Sequence, residues 1–375
     1  GCRCDSHLPS EMRIVFRTDA SIDIGTGHVM RCLTLARAFV EQGAQCQFIC
    51  RAHEGHLIEY VRGQGFQVHV LDVESAVSQP SGGPVHAHWL GSSQARDAQV
   101  CALLLEVIRP DWLVVDHYAL DAQWEQLLSN CYQRLMVIDD LADRSHDCDV
   151  LLDQTFGRES SDYDKLTPLH CEALCGSQYA LLRPDFADAR AMSLARRQTA
   201  EMKRILIAMG GVDKDNMTAL ILKSVQAAKL PHDCKITVLM GTAAPWIDDV
   251  VSVAASSHLE TEVMVGIADV AAVMSQCDLA IGAPGTSSWE RCCLGLPSIL
   301  VVIASNQTKV AAELNAVGAA CMIDRTQIEL SLVSQINRFV SEPKALADMS
   351  QNASRLVDGL GVQRVIERMG HIGEH

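Results

Sequence analysis

Apolar residues fall into short unbroken runs separated by stretches in which they recur at helical spacing. Ile14-Val15-Phe16 is followed by Val29, Cys32, Leu33, Ala36, Phe39 and Val40 on one helical face. The same alternation predicts strands at Cys46–Cys50, Val68–Leu71, Trp112–Asp116, Leu135–Asp139 and Val150–Leu152. Helices are expected over Leu57–Gly63 and Ser93–Ile108. Runs without an in–out alternation suit strands covered on both faces, which points to a parallel sheet.

The pattern turns polar and basic at residues 183–201, with Arg190, Arg196 and Arg197, and then restarts. Strands are predicted at Arg204–Met209, Lys235–Met240, Glu262–Val265, Leu279–Gly282, Ser298–Val302 and Ala320–Ile323. Helices are expected at Ala268–Gln276, Ser287–Leu294 and Thr308–Val317, with a helical segment from Glu329 to Met369. The reading is α/β: two Rossmann-like, doubly wound parallel-sheet domains facing a cleft. Residues 12–185 form the first domain, 186–203 a linker with some helix in it, and 204–375 the second. Residues 1–11 show no periodicity and read as a tail or expression remnant, with Met12 as a natural start.

Chemistry concentrates where strands end. Arg17-Thr18-Asp19 closes the first strand, and Gly25-Thr26-Gly27-His28 opens the first helix, with Arg31 one turn on. Glycines let backbone approach an anion, and the first free N–H groups of a helix attract negative charge. A histidine at that mouth titrates near neutral pH. Strand C-termini are where open α/β sheets bind ligands. Asp116-His117-Tyr118 ends another strand, with Tyr118 able to face the cleft. Asp139 and Asp140 are adjacent, so on a strand they would face opposite ways. They read as structural, capping or pairing with Arg144.

In the second half, Gly210-Gly211 follows a strand, with Asp213 or Asn216 as a helix cap. Ala283-Pro284-Gly285-Thr286-Ser287-Ser288 precedes a helix carrying Glu290. Small residues and hydroxyls there leave its N-terminus open to a diphosphate. Locally, Ser287 and Glu290 also match a capping box. Carboxamides at Asn306-Gln307 can read sugar substituents, although a helix cap at Asn306 is the better local reading.

Net charge is -15 over 375 residues, which argues against nucleic acid or an anionic membrane as partner. An anionic ligand would depend on helix ends and a few arginines. The 15 cysteines lack zinc-site spacing and largely occupy apolar patterns, which suits a reducing, cytoplasmic setting. His86-Ala87-His88 lies in the Gly/Pro/Ser-rich loop 75–93 and reads as solvated loop rather than a metal site. Acidity and the lack of a long apolar patch favour a monomer.

Taken together, these segments resemble the UDP-2,4-diacetamido-2,4,6-trideoxy-β-L-altropyranose hydrolases of pseudaminic acid biosynthesis. The likeness rests on the Arg17–Leu33 stretch, Val115–Tyr118, Ile138–Arg144, Ala180–Pro184, Gly210–Thr218, Gly282–Pro297 and Asn306-Gln307. It spans Met12 to about Gly318 and weakens through the C-terminal helices. The resemblance implies a GT-B architecture, similar in fold to the glycosyltransferase that makes lipid II. It further implies a general base at His28, UDP on the C-terminal domain with ribose on Glu290, a substrate contact at Asn306, and neither metal nor cofactor. Ala283-Pro284-Gly285-Thr286 departs from the serine-rich form expected before Ser287 and leaves individual diphosphate contacts open.

On that reading the substrate is a UDP-sugar held by Arg17, Asp19, Gly25, Gly27, Arg31, Tyr118, Gly210, Gly211, Thr286, Ser287, Ser288, Glu290, Asn306 and Gln307. His28 takes a proton from water as it attacks the anomeric carbon, inverting it. UDP leaves without protonation, so no second carboxylate is needed. Asp19 or Asp116 orients His28. The rival readings are a glycosyltransferase or a UDP-sugar 2-epimerase on the same scaffold, and a non-catalytic sugar-nucleotide sensor.

Overall fold

The computed structural model describes residues 12–74, 83–199 and 201–373. The expected tail at 1–11 and part of the 75–93 loop lie outside the described residues. Two compact units emerge, one of residues up to Leu181 together with those from Gly361, the other Leu182–Leu360.

The first unit is a seven-stranded parallel sheet. Its strands are β1 (Arg13–Thr18), β2 (Gln45–Arg51), β3 (Gln67–Leu71), β4 (Trp112–Asp116), β5 (Arg134–Ile138), β6 (Val150–Asp153) and β7 (Glu172–Cys175). The order is β3-β2-β1-β4-β5-β6-β7. Helices α1 (Gly27–Glu41), α2 (Ile58–Gly63), α3 (Gln94–Ile108) and α4 (Ala122–Leu127) cover it. Ile14 and Phe16 of β1 pack with Cys32, Ala36 and Phe39 of α1, while Val15 faces Cys101 and Leu105 of α3 and Trp124 of α4. Both faces of the strand are therefore apolar, which is why its run shows no alternation. Val40, expected on the buried stripe of α1, is exposed.

The second unit is a six-stranded parallel sheet. Its helices begin with α5 (Pro184–Arg196). The strands are β8 (Arg204–Ala208), β9 (Lys235–Met240), β10 (Glu260–Val265), β11 (Leu279–Gly282), β12 (Ser298–Val302) and β13 (Cys321–Asp324), in the order β10-β9-β8-β11-β12-β13. Helices α6 (Met217–Val225), α7 (Ile247–Ala255), α8 (Val270–Gln276), α9 (Ser287–Cys293), α10 (Thr308–Ala316), α11 (Val333–Ser341) and α12 (Pro343–Ser354) complete it.

Two boundaries differ from those expected. The basic stretch read as a linker with some helix in it carries α5, which belongs to the second unit. Arg190 donates to the carbonyls of Cys293, Ser354 and Val357, and Arg197 to those of Met274, Cys277 and Leu294. These arginines satisfy carbonyls at the ends of α8, α9 and α12, where helices are short of donors and carry negative potential. The last helix, α13 (Gly361–Gly373), returns to the first unit. Val362, Val365, Ile366 and Met369 join the core that includes Val29 and Leu33 of α1. Its apolar stripe could have been read, but which core it would enter could not.

Candidate active site

Both sheets reverse strand order once, at β1/β4 and at β8/β11. In such sheets the connections diverge there and leave a crevice outside the strand ends. Most of the sequence-predicted residues fall at one or other of these points, whereas Asn306 and Gln307 follow β12.

At the first, Gly25 has φ +82° and its N–H donates to the Ser21 carbonyl at 2.9 Å, closing the turn into α1. A Cβ there would meet nothing, so glycine serves the backbone conformation. Thr26 precedes α1 but makes no side-chain cap, so the N–H groups from Gly27 onward gain no hydroxyl partner. His28 follows, 9% exposed. Its Nδ1 lies 2.6 Å from Asp116 Oδ1 at the end of β4. Asp116 also accepts from Arg31 Nε at 2.6 Å and from its terminal nitrogen at 2.8 Å. The Arg31 guanidinium, with the hydrogen bonds from Arg31 and His28, holds the Asp116 carboxyl well below the usual carboxylate range despite burial. Asp116 is thus ionised and keeps the imidazole proton on Nδ1. Among the described residues none hydrogen-bonds Nε2, whose lone pair is free to accept a proton.

Asp116, rather than Asp19, is therefore the carboxylate against His28. Arg31, expected to bind substrate, is occupied by two acids, since it also donates to Asp140 at 3.0 and 2.8 Å. Tyr118 donates to Asp140 at 2.5 Å and meets the His28 ring edge-on at 4.5 Å. Asp140 thus joins the site, against the structural reading made for it. Asp139 keeps that role, accepting from Arg144 at 2.8 Å.

Arg17 and Asp19 belong to the interior. Arg17 is fully buried, donating to Asp19 at 2.7 Å and to Asp97 at 2.7 and 3.3 Å. Asp19 also accepts from the Arg51 N–H at 2.7 Å and from His117 Nε2 at 2.9 Å. Their charges are already matched, so they brace the strand ends and leave no group for substrate. Asp19, His53 and His117 form a cluster of metal-ligand type. The Ala119 N–H donates to His117 Nδ1 at 3.1 Å, which puts the His117 proton on Nε2, pointing at Asp19. A protonated nitrogen and the adjoining Arg17 guanidinium do not fit a cation there.

Beneath the site, Tyr163 Oη lies 2.8 Å from Asp139 Oδ2 and 2.7 Å from Asp153 Oδ2. One hydroxyl proton cannot serve two ionised carboxylates, so one acid carries a proton. Burial and neighbouring Asp140 and Asp139 push Asp153 up to about 6, while Arg144 holds Asp139 far below its usual range. The folded protein therefore binds a proton on Asp153 that the unfolded chain releases near pH 4. By linkage this lowers stability as pH rises from about 4 to 6, by on the order of 2 kcal/mol. Asp153→Asn is expected to remove that falling limb, read from urea unfolding at pH 4.5 and 7. An unchanged difference between the two pH values would refute the assignment.

At the second switch point, Gly210 has φ +99° and open space around it, after β8. Asp213 accepts the N–H groups of Met217 and Thr218 at 2.9 and 2.8 Å, and Asn216 caps α6. After β11 the expected capping box is not made: Thr286 takes the N-cap position with no side-chain bond. Ser287 and Ser288 instead accept from Arg291 at 3.1 and 3.2 Å, and the Ala283 carbonyl accepts at 2.8 Å. Arg291 is 1% exposed and burial pulls its guanidinium down to about 10. Among the described residues it has no ion pair, and its Nε has no partner. A buried cation beneath a turn of small residues supplies the positive potential that the chain's overall acidity withholds. Sequence reasoning passed over Arg291 because it reads as the basic last turn of a helix. Glu290, one residue earlier, is half-buried. Asn306 is exposed and does not cap α10, whose N-cap is Gln307. Gln307 Oε1 accepts the Ile303 N–H at 3.1 Å.

Two parallel-sheet Rossmann-like units with these switch points give the GT-B fold. Residues 204–368 match the glycosyltransferase family 28 C-terminal domain. The chain is similar to the UDP-2,4-diacetamido-2,4,6-trideoxy-β-L-altropyranose hydrolase of Campylobacter jejuni, 27% identical over 62% of this chain and 71% of that enzyme. It is also 27% identical to the spore coat polysaccharide biosynthesis protein SpsG of Bacillus subtilis, over 51% of this chain and 56% of that protein. Among solved structures, MurG of Acinetobacter baumannii superposes with TM-score 0.67 at 14% identity, covering 95% of this chain and 99% of that one. A UDP-GlcNAc 2-epimerase from Neisseria meningitidis, bound to UDP-GlcNAc, gives 0.62 at 11% identity, covering 96% and 99%. The chain thus resembles the hydrolase family in sequence and enzymes acting on UDP-sugars in fold. Among the described residues no helix is long and apolar enough to cross a membrane.

Proposed function

We propose that this protein hydrolyses a UDP-linked diacetamido-trideoxy sugar, the altrose-configured nucleotide of the Campylobacter relative, to UDP and the free sugar. The observation that carries the reading is the His28–Asp116 pair at the β1/β4 switch point, with Nε2 open. Asp116 holds the Nδ1 proton, so Nε2 takes the proton of a water as its oxygen bonds to C1. The C1–O bond to the β-phosphate breaks on the opposite face, UDP departs with the electron pair, and the anomeric centre inverts. Charge developing on the leaving group needs oriented donors. In the second unit, the Arg291-backed turn at Thr286–Ser288 is suited to supply them, with Gly210, Gly211, Glu290, Asn306 and Gln307 as further candidate contacts. UDP is a good leaving group, so its loss needs no acid.

Incubating the purified protein with that nucleotide in chelator, followed by NMR, is expected to give equimolar UDP and sugar, the first-formed anomer inverted. A protein that leaves the nucleotide intact but converts UDP-N-acetylglucosamine to its C2 epimer would favour the epimerase reading. Turnover that requires an added acceptor would favour a transferase.

A further inference from the structure

The His86-Ala87-His88 stretch found no role in the reading above, yet its segment returns to the His28 site. Trp89 lies nearly parallel to Tyr118, at 20° with centroids 5.8 Å apart. His86 packs against Trp89 at 4.5 Å and against Tyr118 at 5.5 Å. Tyr118 is the ring that meets His28 edge-on. Its remaining surroundings include the Arg144 guanidinium, 5.7 Å from the ring centroid. Tyr118 itself is buried, whereas Trp89 and His86 are half-buried. Next to the candidate base, these two rings therefore offer the accessible surface.

The segment is anchored just beyond the wall. Leu90 enters the core, and the Gly91 carbonyl accepts the Glu74 N–H at 3.0 Å. Gly91 sits at φ +69°, where a Cβ would come within 2.9 Å of the His53 ring. Ser92 donates to Glu74 at 2.9 Å, and Ser93 caps α3. The rings are thus presented by a fixed backbone rather than a free loop. Burial keeps His86 below the usual imidazole range, so it adds ring surface without charge.

We propose that Trp89 and His86 form an aromatic wall that contacts the sugar ring and selects one rich in methyl groups, such as acetamido and 6-deoxy substituents, over a hydroxyl-rich hexose. Carbon-bound hydrogens and methyls pack on aromatic faces, while hydroxyls leave part of their hydration unreplaced there. The nearby acids able to read hydroxyls are engaged, Asp116 and Asp140 by Arg31, His28 and Tyr118, and Asp143 by Arg144 at 3.1 Å. The inference rests on the proposed hydrolysis for its substrate, but not for its test.

The test measures binding of UDP and of the diacetamido-trideoxy nucleotide by calorimetry, together with kcat and KM, in wild type, Trp89→Ala and Trp89→Phe. Trp89→Ala is expected to weaken the sugar nucleotide about 10- to 50-fold, mainly in KM, with UDP affinity within two-fold of wild type. Trp89→Phe should recover most of the loss. The preference over UDP-N-acetylglucosamine should shrink in Trp89→Ala. Wild-type binding and turnover by Trp89→Ala would overturn the proposal. So would equal losses for UDP and the sugar nucleotide, because the indole would then support the fold rather than the sugar. A wild type that binds the nucleotide more tightly than UDP, loses that increment in Trp89→Ala, yet never releases UDP would refute hydrolysis and retain the wall.

Discussion

Replacing His28 with alanine is expected to lower kcat by about 10³-fold while UDP binds as in wild type. The imidazole is the group at the β1/β4 switch point with an open basic nitrogen, and its proton is fixed on the other side by Asp116. General-base removal costs about 10²- to 10⁴-fold where water must be activated in the attack. The protein should fold, because His28 sits at the rim in the first turn of α1 and the β1 core beneath does not include it. His28→Gln, which keeps hydrogen-bonding groups but cannot take up a proton, should be as slow as His28→Ala. A variant with a tenth or more of wild-type kcat would remove His28 as the base. UDP affinity by calorimetry reports whether the protein still holds nucleotide.

Asp116→Asn is expected to be as damaging to turnover and more damaging to stability. The amide removes the charge that balances Arg31 and fixes the His28 tautomer. A comparable change in a catalytic triad costs about 10⁴-fold in kcat through the wrong tautomer. Breaking a buried ion pair from one side costs about 3–5 kcal/mol, because the remaining charge stays buried. Arg31 retains Asp140 at 2.8 Å, so the lower end of that range is expected. The carboxyl titrates lower in the folded protein than in the unfolded chain. The native state then binds fewer protons, so this contribution is present above about pH 4 and fades as pH falls through the carboxylate range. Asp116→Asn should flatten that acid limb in urea titrations at pH 3 to 6. Normal kcat in Asp116→Asn would sink the tautomer argument. A loss of activity with an unchanged acid limb would show that Asp116 does not titrate as the geometry requires.

Much of the scaffold was legible along the chain. Unbroken apolar runs such as Trp112–Asp116 announced strands covered on both faces, and Gly25, Gly27 and His28 stood where a strand hands over to a helix. Strand β7 and helix α4 escaped, being short and without a clear period. The stretch read as a linker with some helix carries α5, and what could not be read was where Arg190, Arg196 and Arg197 would bond. Those arginines meet the carbonyl ends of helices more than 70 residues away, a pairing without local signature. Arg17 and Asp19 were misplaced for a related reason. A charged pair at a strand end looks the same whether it meets a ligand or a buried Asp97, which lies 80 residues from Arg17.

What the sequence determined by itself is local: the period of each apolar pattern, the glycines that free a turn, and a titratable ring at a helix start. These properties depend on neighbours along the chain, so they are written in one dimension. What only the tertiary structure decided is partnership. Asp116 rather than Asp19 holds His28, Arg291 lies beneath the Ser287-Ser288 turn without a carboxylate, and Trp89 and His86 stand beside Tyr118. Each pairing depends on strand order, since β4 lies against β1 only because the connections after β3 cross over to its other edge. A carboxylate or an indole is the same residue in any register; the distance to its partner, and hence its charge state and role, exists only once the sheet is assembled.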